Sequence, residues 1–175
     1  KKNMAITRLG VNNISNSTIA NITALPAAIP TGKILQIVQG SHASSVETTS
    51  TSYVDGGLSA SITPSATSSK VLVMVNQSLR TRRDSSGDAQ GGAIKLLRDS
   101  TTIIGGTQSY EIYLEITGST MIDKYSRTCL EILDSPSSTS SLTYKIQGKA
   151  YQSGWKVHFQ PGSIPSIITL IFFFF

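Results

Sequence analysis

The sequence predicts an all-β protein, a jelly-roll-like antiparallel β-sandwich with an extended N-terminal arm. The first observation is a repeated pattern of short apolar segments, Ser/Thr runs and a Pro-containing turn, at Thr49–Val75 and again at Leu130–Gln147. The second is composition, because Ser and Thr supply 46 of 175 residues and charged residues only 14%. Thr favours strands, whereas Ser favours turns and strand ends. The third is the spacing of turn signals, roughly every 8–15 residues, which is typical of sandwiches and jelly rolls.

Residues 1–32 differ from the rest and are predicted to form the arm. Their apolar residues stand singly among polar ones, and Pro26 and Pro30 prevent a long helix. Alone, such a segment buries too little apolar surface to offset its ordering entropy. We therefore expect a neighbouring subunit to order it, with anchoring through the isolated apolar side chains Ile6, Leu9, Ile14, Ile19, Ile22 and Leu25.

Residues 33–175 are predicted to form the sandwich. The sequence Asp55-Gly56-Gly57 carries a hairpin-type turn signal, so a strand is expected on each side of it. The run Val71–Val75 is apolar on both faces, which indicates a central strand. The strands expected in this half are Lys33–Gln39, Tyr53–Asp55, Leu58–Thr63 and Lys70–Leu79.

The second half of this domain shows the two-residue alternation of half-buried strands. Trp155, Val157 and Phe159 alternate with polar residues, which places His158 on the polar face. Together with the first half, this predicts the strand rhythm of a sandwich or jelly roll. The segments are Ala93–Arg98, Thr101–Ile104, Glu111–Thr117, Met121–Leu133, Leu142–Gln147, Trp155–Gln160 and Ile167–Ile171.

The chain offers little material for catalysis, metal binding or a disulfide framework. Its only imidazoles, His42 and His158, occupy polar positions and are expected at the surface or in an interface. The single cysteine, Cys129, lies in a predicted strand and is expected to be a small buried apolar residue. Two distant His and one Cys do not supply a zinc site. We therefore expect no catalytic residue, no metal site and no cofactor.

Glycoside cleavage by Glu111 and Glu115 is the most reasonable enzymatic alternative. These carboxylates share a strand face, with Tyr113 between them. Such a pair cuts a sugar only inside a cleft and with a raised pKa on one partner. Two exposed charges on a sheet are the simpler interpretation, and a depolymerase is kept as a third hypothesis.

The distinctive polar feature is the segment Arg80–Gln90, which follows the central strand and is predicted to be a loop at one end of the sandwich. Loops at such ends often carry binding functions, and arginine holds carboxylates or phosphates with two parallel hydrogen bonds. A solvated basic loop is the simpler interpretation. The residues expected to bind a ligand or partner are Arg80, Arg82, Arg83, Asp84 and Asp88.

The charge balance and hydropathy exclude two classes of partner. The net charge of +5 and pI near 9.4 make a modest field that solubility explains. No basic helix or aromatic–basic run is present, so nucleic acid is not expected as a partner. The longest apolar run is far too short to span a membrane, so no membrane insertion is expected.

Segments spread over nearly the whole chain share one resemblance. They are Met4–Asn21, Gly32–Gln36, Thr49–Asp55, Ile62–Pro64, Ser69–Val73, Ile94–Thr101, Leu133–Pro136 and Ser166–Leu170. Together they resemble the tail-fibre-like virion structural proteins of marine and cyanobacterial tailed bacteriophages. The chain departs from that family at Gly56, where Thr is more common, and at Ile171–Phe175.

The resemblance implies a jelly-roll-like sandwich at the surface of a phage particle. We expect a non-enzymatic homotrimer that the arm anchors to capsid or tail proteins, serving as a capsid-decoration or tail-fibre module. The alternative is a module that binds host-surface glycan through the end loops or through Tyr113 and Tyr151.

Overall fold

The computed structural model describes residues 33–84, 89–106, 112–115 and 122–174, and these form two antiparallel β-sheets. The predicted arm, Asp88 and Glu111 lie outside the described residues. The strands are β1 (Lys33–His42), β2 (Val46–Thr48), β3 (Val54–Ile62), β4 (Lys70–Arg83), β5 (Ala89–Arg98), β6 (Thr101–Gly105), β7 (Ile112–Glu115), β8 (Ile122–Asp134), β9 (Leu142–Ala150), β10 (Trp155–Phe159) and β11 (Ser166–Phe174).

The first sheet is built around β4, which pairs with other strands along both of its edges. β8 pairs with one edge from Val71 to Arg83. The other edge pairs first with β11 and then with β10, and a 3-10 turn at Pro161–Ser163 lies between those two strands. β1 and β2 continue the sheet beyond β11 and β10. The predicted central position of this strand is therefore confirmed.

The second sheet has the order β3-β9-β5, with β6 and β7 both on the far edge of β5. If β1 and β2, β6 and β7, and β10 and β11 each count as one interrupted strand, the described residues form eight strands. When these eight strands are numbered one to eight along the chain, their order is six-three-eight-one in the first sheet and two-seven-four-five in the second. This is the strand order of a jelly roll, so the predicted fold class is confirmed.

The core lies between the two sheets and follows from the alternation of apolar side chains. Val71, Val73 and Val75 of β4 point inward, and so do Tyr144 and Ile146 of β9. The inward side chains of β10, including Phe159, fill the space between them. Burial of this kind contributes about 25 cal/mol per Å² of apolar surface, and is the main term that stabilises the fold.

A buried ionic group also links the two sheets. Asp134 of β8 accepts from Arg98 Nη1 of β5 at 2.6 and 2.8 Å, and from the Tyr144 hydroxyl of β9 at 2.7 Å. The backbone N–H of Ser135 donates to the same carboxylate at 2.9 Å. Burial, followed by the hydrogen bond to Asp134, raises the pKa of Tyr144 far above its usual value.

The predicted Gly56-Gly57 turn is wrong, because β3 runs through both glycines. Gly57 has φ 84°, and the register of β3 against β9 shifts between Asp55 and Ser59, which is the mark of a β-bulge. Gly56 is required for packing, since a Cβ atom there would lie 2.6 Å from the Phe159 ring. The glycines therefore bend a continuous strand over the core.

Three further expectations are corrected by the structure. Arg80, Arg82 and Arg83 belong to β4 itself, because the strand continues past Leu79 to Arg83 instead of ending in a loop. Cys129 is exposed on β8, because it points away from the second sheet. His158 occupies the polar face of β10 as expected, but it is buried there between β2 and β4.

Candidate functional site

The outer face of the first sheet, which points away from the core, carries an unusual apolar surface. Ile37, Ile171, Leu72 and Leu133 are cross-strand neighbours that form one continuous row over β1, β11, β4 and β8. Ile37 is 60% exposed and Leu133 52% exposed. We call the surface made by this row and its apolar neighbours the apolar half of the outer face; the neighbours are Ile34, Met74 and Phe173.

Such a surface indicates an interaction site. An antiparallel sheet with one face on the core is expected to place polar residues on the other face. Contiguous exposed apolar side chains cost free energy in water and mark binding sites more often than isolated ones do. Most of the large exposed apolar residues of the described chain fall on this surface.

A shallow groove adjoins the apolar half where β4, β8 and β11 lie side by side. Its volume is about 400 Å³. It is lined on the outer face by Met74, Asn76, Cys129, Glu131, Ile167 and Thr169. Both apolar and polar side chains line it, so it is suited to contact with a partner surface that also carries both.

The opposite end of the same face is charged and includes the arginines predicted as a binding loop. Arg80 Nε and Nη2 donate to the two carboxylate oxygens of Asp123 at 2.8 and 2.9 Å. Its guanidinium also lies 5.4 Å from the centre of the Tyr125 ring. Arg80 is therefore held by the protein itself in the bidentate geometry that a carboxylate ligand would use.

The remaining charges form a chain of ion pairs from β4 to β2. Arg82 pairs with Asp84, and Lys156 Nζ lies 2.7 Å from the other carboxylate oxygen of Asp84. Lys156 is also 3.6 Å from Glu47. The hydrogen bond from Lys156, followed by that from Arg82, holds the pKa of Asp84 below its ordinary value. Exposed pairs of this kind contribute little stability individually, because solvent screens them.

His158 lies within this charged group, with its Nδ1 atom 3.3 Å from Glu47. Burial is the largest cause that lowers its pKa, the Glu47 carboxylate opposes this, and Arg80 and Lys156 lower it further. The net pKa lies below the usual value, which favours the neutral form of the ring.

The structure brings together only part of the predicted ligand-binding set. Arg80 and Arg82 both point outward, and Arg82 pairs with Asp84, whereas Arg83 points inward and is only 3% exposed. Asp88 and the six anchoring residues of the arm lie outside the described residues, so those predictions stay untested.

The aromatic residues predicted as a glycan surface form a packed group. The rings of Tyr113 and Tyr151 meet edge to face at 6.2 Å, and Tyr151 lies 5.1 Å from Trp155. Both tyrosines are partly buried against the core. Glu115 is exposed at the end of β7, and its predicted catalytic partner Glu111 lies outside the described residues.

Sequence reasoning did not identify the apolar half of the outer face, although a signal was present. The run Val71–Val75 was interpreted only as a central strand, although Leu72 and Met74 make its second face apolar as well. The isoleucines of β1 supplied the same signal at Ile34 and Ile37. A run that is apolar on both faces indicates a second covered face as well as a central strand.

Among the described residues, no three His, Cys, Asp or Glu side chains are placed to hold a metal ion. No helix there has the length and apolar character needed to cross a bilayer.

Neither a protein-family model nor a curated protein matches this chain. Dimeric latent PorU from Porphyromonas gingivalis is similar with a TM-score of 0.40 and 11% identity over 78% of this chain and 12% of that chain. A VP2 protein of infectious bursal disease virus, from T=1 particles, is similar with a TM-score of 0.31 and 15% identity over 78% and 35%.

The Gx strain structure of infectious bursal disease virus gives a TM-score of 0.25 and 12% identity over 79% and 39%. This chain thus spans less than half the length of each of these proteins. Similarity at this level says nothing about function.

Proposed function

We propose that this chain is a non-enzymatic structural protein at the surface of a bacteriophage virion. It acts as a capsid-decoration or tail-fibre module, assembles as a homotrimer and is anchored to other virion proteins by its N-terminal arm. The continuous apolar row across the first sheet carries the proposal, because that surface is suited to burial against another protein. The jelly-roll order, the Ser/Thr-rich composition and the resemblance to tail-fibre-like proteins agree with it.

The assembly is tested by light scattering of the full chain with one charge placed in the apolar row. The wild type is expected at about three times its protomer mass of 18.7 kDa. Ile37→Lys is expected to lower the mass, because a buried lysine without a partner opposes association. Gln39→Lys is the matched control, since Gln39 points outward at the next exposed position of β1.

A wild type that stays at the protomer mass would argue against the proposed trimer, as would an Ile37→Lys protein that assembles normally. Circular dichroism of both variants checks that the sandwich is folded. An antibody against the chain is expected to label purified particles of the producing phage. Host polysaccharide is expected to stay intact after long incubation with the protein.

A glycan-binding role is the second candidate, and Tyr125 is the observation that favours it. Its ring is 60% exposed and stands beside the paired Arg80 and Asp123 side chains. An exposed aromatic ring next to fixed polar groups is a common arrangement for holding a ligand. A host-glycan array is expected to show binding that Tyr125→Ala abolishes, and an array without any binding would leave the structural role alone.

A further inference from the structure

We infer that a second copy of this chain pairs with the exposed edge of β8 in an antiparallel, two-fold arrangement centred on Cys129. The inference does not depend on the proposed virion function, and it names a contact that shares only Leu133 with the apolar row. It is argued from the regularity of this edge, from the order of side chains along it and from the accessibility of its centre.

β8 is a long and regular edge strand. It has 13 residues without Pro or Gly, and it pairs only with β4 among the described residues. Its register against β4 contains no shift. An unpaired edge of this length presents a row of free N–H and C=O groups, which is a template for another strand.

The other three sheet edges are interrupted in ways that β8 is not. The register of β1 shifts between Ile34 and Gln36, and its continuation in β2 begins only at Val46. β3 carries the bulge between Asp55 and Ser59. The edge made by β6 and β7 is discontinuous, and its pairing with β5 shifts after Leu96. Bulges and breaks of this kind block strand addition, so β8 is the edge best suited to it.

The outward side chains of β8 complement a reversed copy of themselves. With Cys129 opposite its own copy, Arg127 lies opposite Glu131 on both sides of the two-fold axis. Tyr125 then lies opposite Leu133, also twice. Opposite charges and aromatic–aliphatic pairs are the cross-strand neighbours that stabilise a sheet.

Other registers lose this match. Moving the centre by one residue sets Tyr125 against Glu131 in one direction, or Arg127 against Leu133 in the other. Moving it by two residues sets Arg127 or Glu131 against its own copy, which places like charges together. In each of these registers the residues opposite each other have equal parity, which means that odd-numbered residues lie opposite odd-numbered ones. The outer faces of the two copies therefore stay on the same side.

The residues of this register are available for the contact. Glu131 has no ion-pair partner among the described residues. Arg127 Nη1 donates to Asn76 at 2.6 Å and Nη2 approaches the Pro165 carbonyl at 3.5 Å, which leaves further N–H groups for a carboxylate. Tyr125 and Leu133 are 60% and 52% exposed, so pairing buries apolar surface that is now in water.

The pair has a consequence for the larger surface. Because equal parity keeps both outer faces on one side, the apolar row of one protomer runs from Leu133 onto Tyr125 of the second, and the two apolar halves lie at opposite ends of the joined face. Two sandwiches joined in this way share one sheet, with the two-fold axis perpendicular to it.

Disulfide trapping of the full chain tests the register directly. Opposite Cα atoms in an antiparallel pair are about 4.5–5.5 Å apart, and a disulfide bridges about 4.4–6.8 Å. Diamide, which takes the two electrons, is expected to convert the wild type into a band of twice 18.7 kDa on a non-reducing gel. Cys129→Ser is expected to give none, and a wild type that is not trapped at concentrations where it self-associates overturns the inference.

Charge exchange supplies the second test. Arg127→Glu and Glu131→Arg alone are each expected to weaken the pairing and trapping at least about tenfold, because each places like charges opposite each other twice. The double exchange is expected to restore both. Restoration cannot come from a general effect of either charge, so a double variant as weak as the singles overturns this register.

The outcomes also separate this inference from the proposed trimer. Trapping and charge rescue without a trimer mass would remove the trimer and leave the two-fold pair. A trimer mass without trapping or charge rescue would remove the two-fold pair and leave the trimer. Circular dichroism of each variant confirms that these exposed substitutions leave the sandwich folded.

Discussion

Removing the hydroxyl of Tyr144 is expected to destabilise the sandwich, because this group completes the buried ionic link between the sheets. Tyr144 is fully buried, and its hydroxyl donates to Asp134 at 2.7 Å. Tyr144→Phe keeps the ring and removes only that donor. The Asp134 carboxylate retains Arg98 at 2.6 and 2.8 Å and the Ser135 N–H at 2.9 Å.

The magnitude follows from losing one hydrogen bond to a charged acceptor. Such bonds contribute about 1.5–3 kcal/mol. We expect a loss of about 2 kcal/mol in the free energy of unfolding. Asp134→Ala should cost more, about 3 kcal/mol, because it leaves both Arg98 and Tyr144 without their acceptor. Partial exposure of the Arg98 side chain keeps this value at the low end.

Urea unfolding followed by tryptophan fluorescence and circular dichroism measures these values. The urea dependence of the free energy should not change, since the mutation does not alter the surface exposed on unfolding. Tyr125→Phe is the matched control, because its ring is 60% exposed, and it should change stability by less than about 0.5 kcal/mol. A Tyr144→Phe protein as stable as that control would refute the reasoning.

Three further predictions concern pH and packing. The raised pKa of Tyr144 stabilises the fold fully below the unfolded value of 10.0 and less as pH rises above it, so wild-type unfolding free energy should fall more steeply there than that of Tyr144→Phe. The lowered pKa of His158 contributes stability above the unfolded value of 6.5, which is lost as pH falls, and His158→Gln should flatten that acid-side loss in urea titrations. Gly56→Ala should cost about 1–3 kcal/mol by thermal unfolding, because its methyl group would lie 2.6 Å from the buried Phe159 ring; unchanged stability would contradict that packing.

The sequence predicted the strands of this fold where a single face is buried. β9 and β10 show why, since their alternating apolar residues, such as Tyr144 and Phe159, match the buried positions. In β4 the run that is apolar on both faces predicted a central strand, although the second sheet covers only its inner face. The fold class therefore followed from local pattern and turn spacing alone.

The errors fall where a residue's role depends on a distant strand. Gly57 has the positive φ of a turn residue but uses it in a bulge, because β9 pairs on both sides of it. Arg80 was predicted to begin a polar loop, but Asp123 of β8 accepts its hydrogen bonds and keeps it within the sheet. The burial of His158 requires β2 and β4 on either side. No pattern within a few residues carries that information.

The pairing of β1 with β11 has a consequence for how the protein folds during synthesis. Lys33 pairs with Phe174, so the first strand of the sandwich is completed by the last one. On the ribosome, β1 therefore lacks its partner strand until β11 has emerged. Contacts so distant in sequence fold slowly and favour misassembly between nascent chains. Completion of this sheet is thus expected to be a late step in folding.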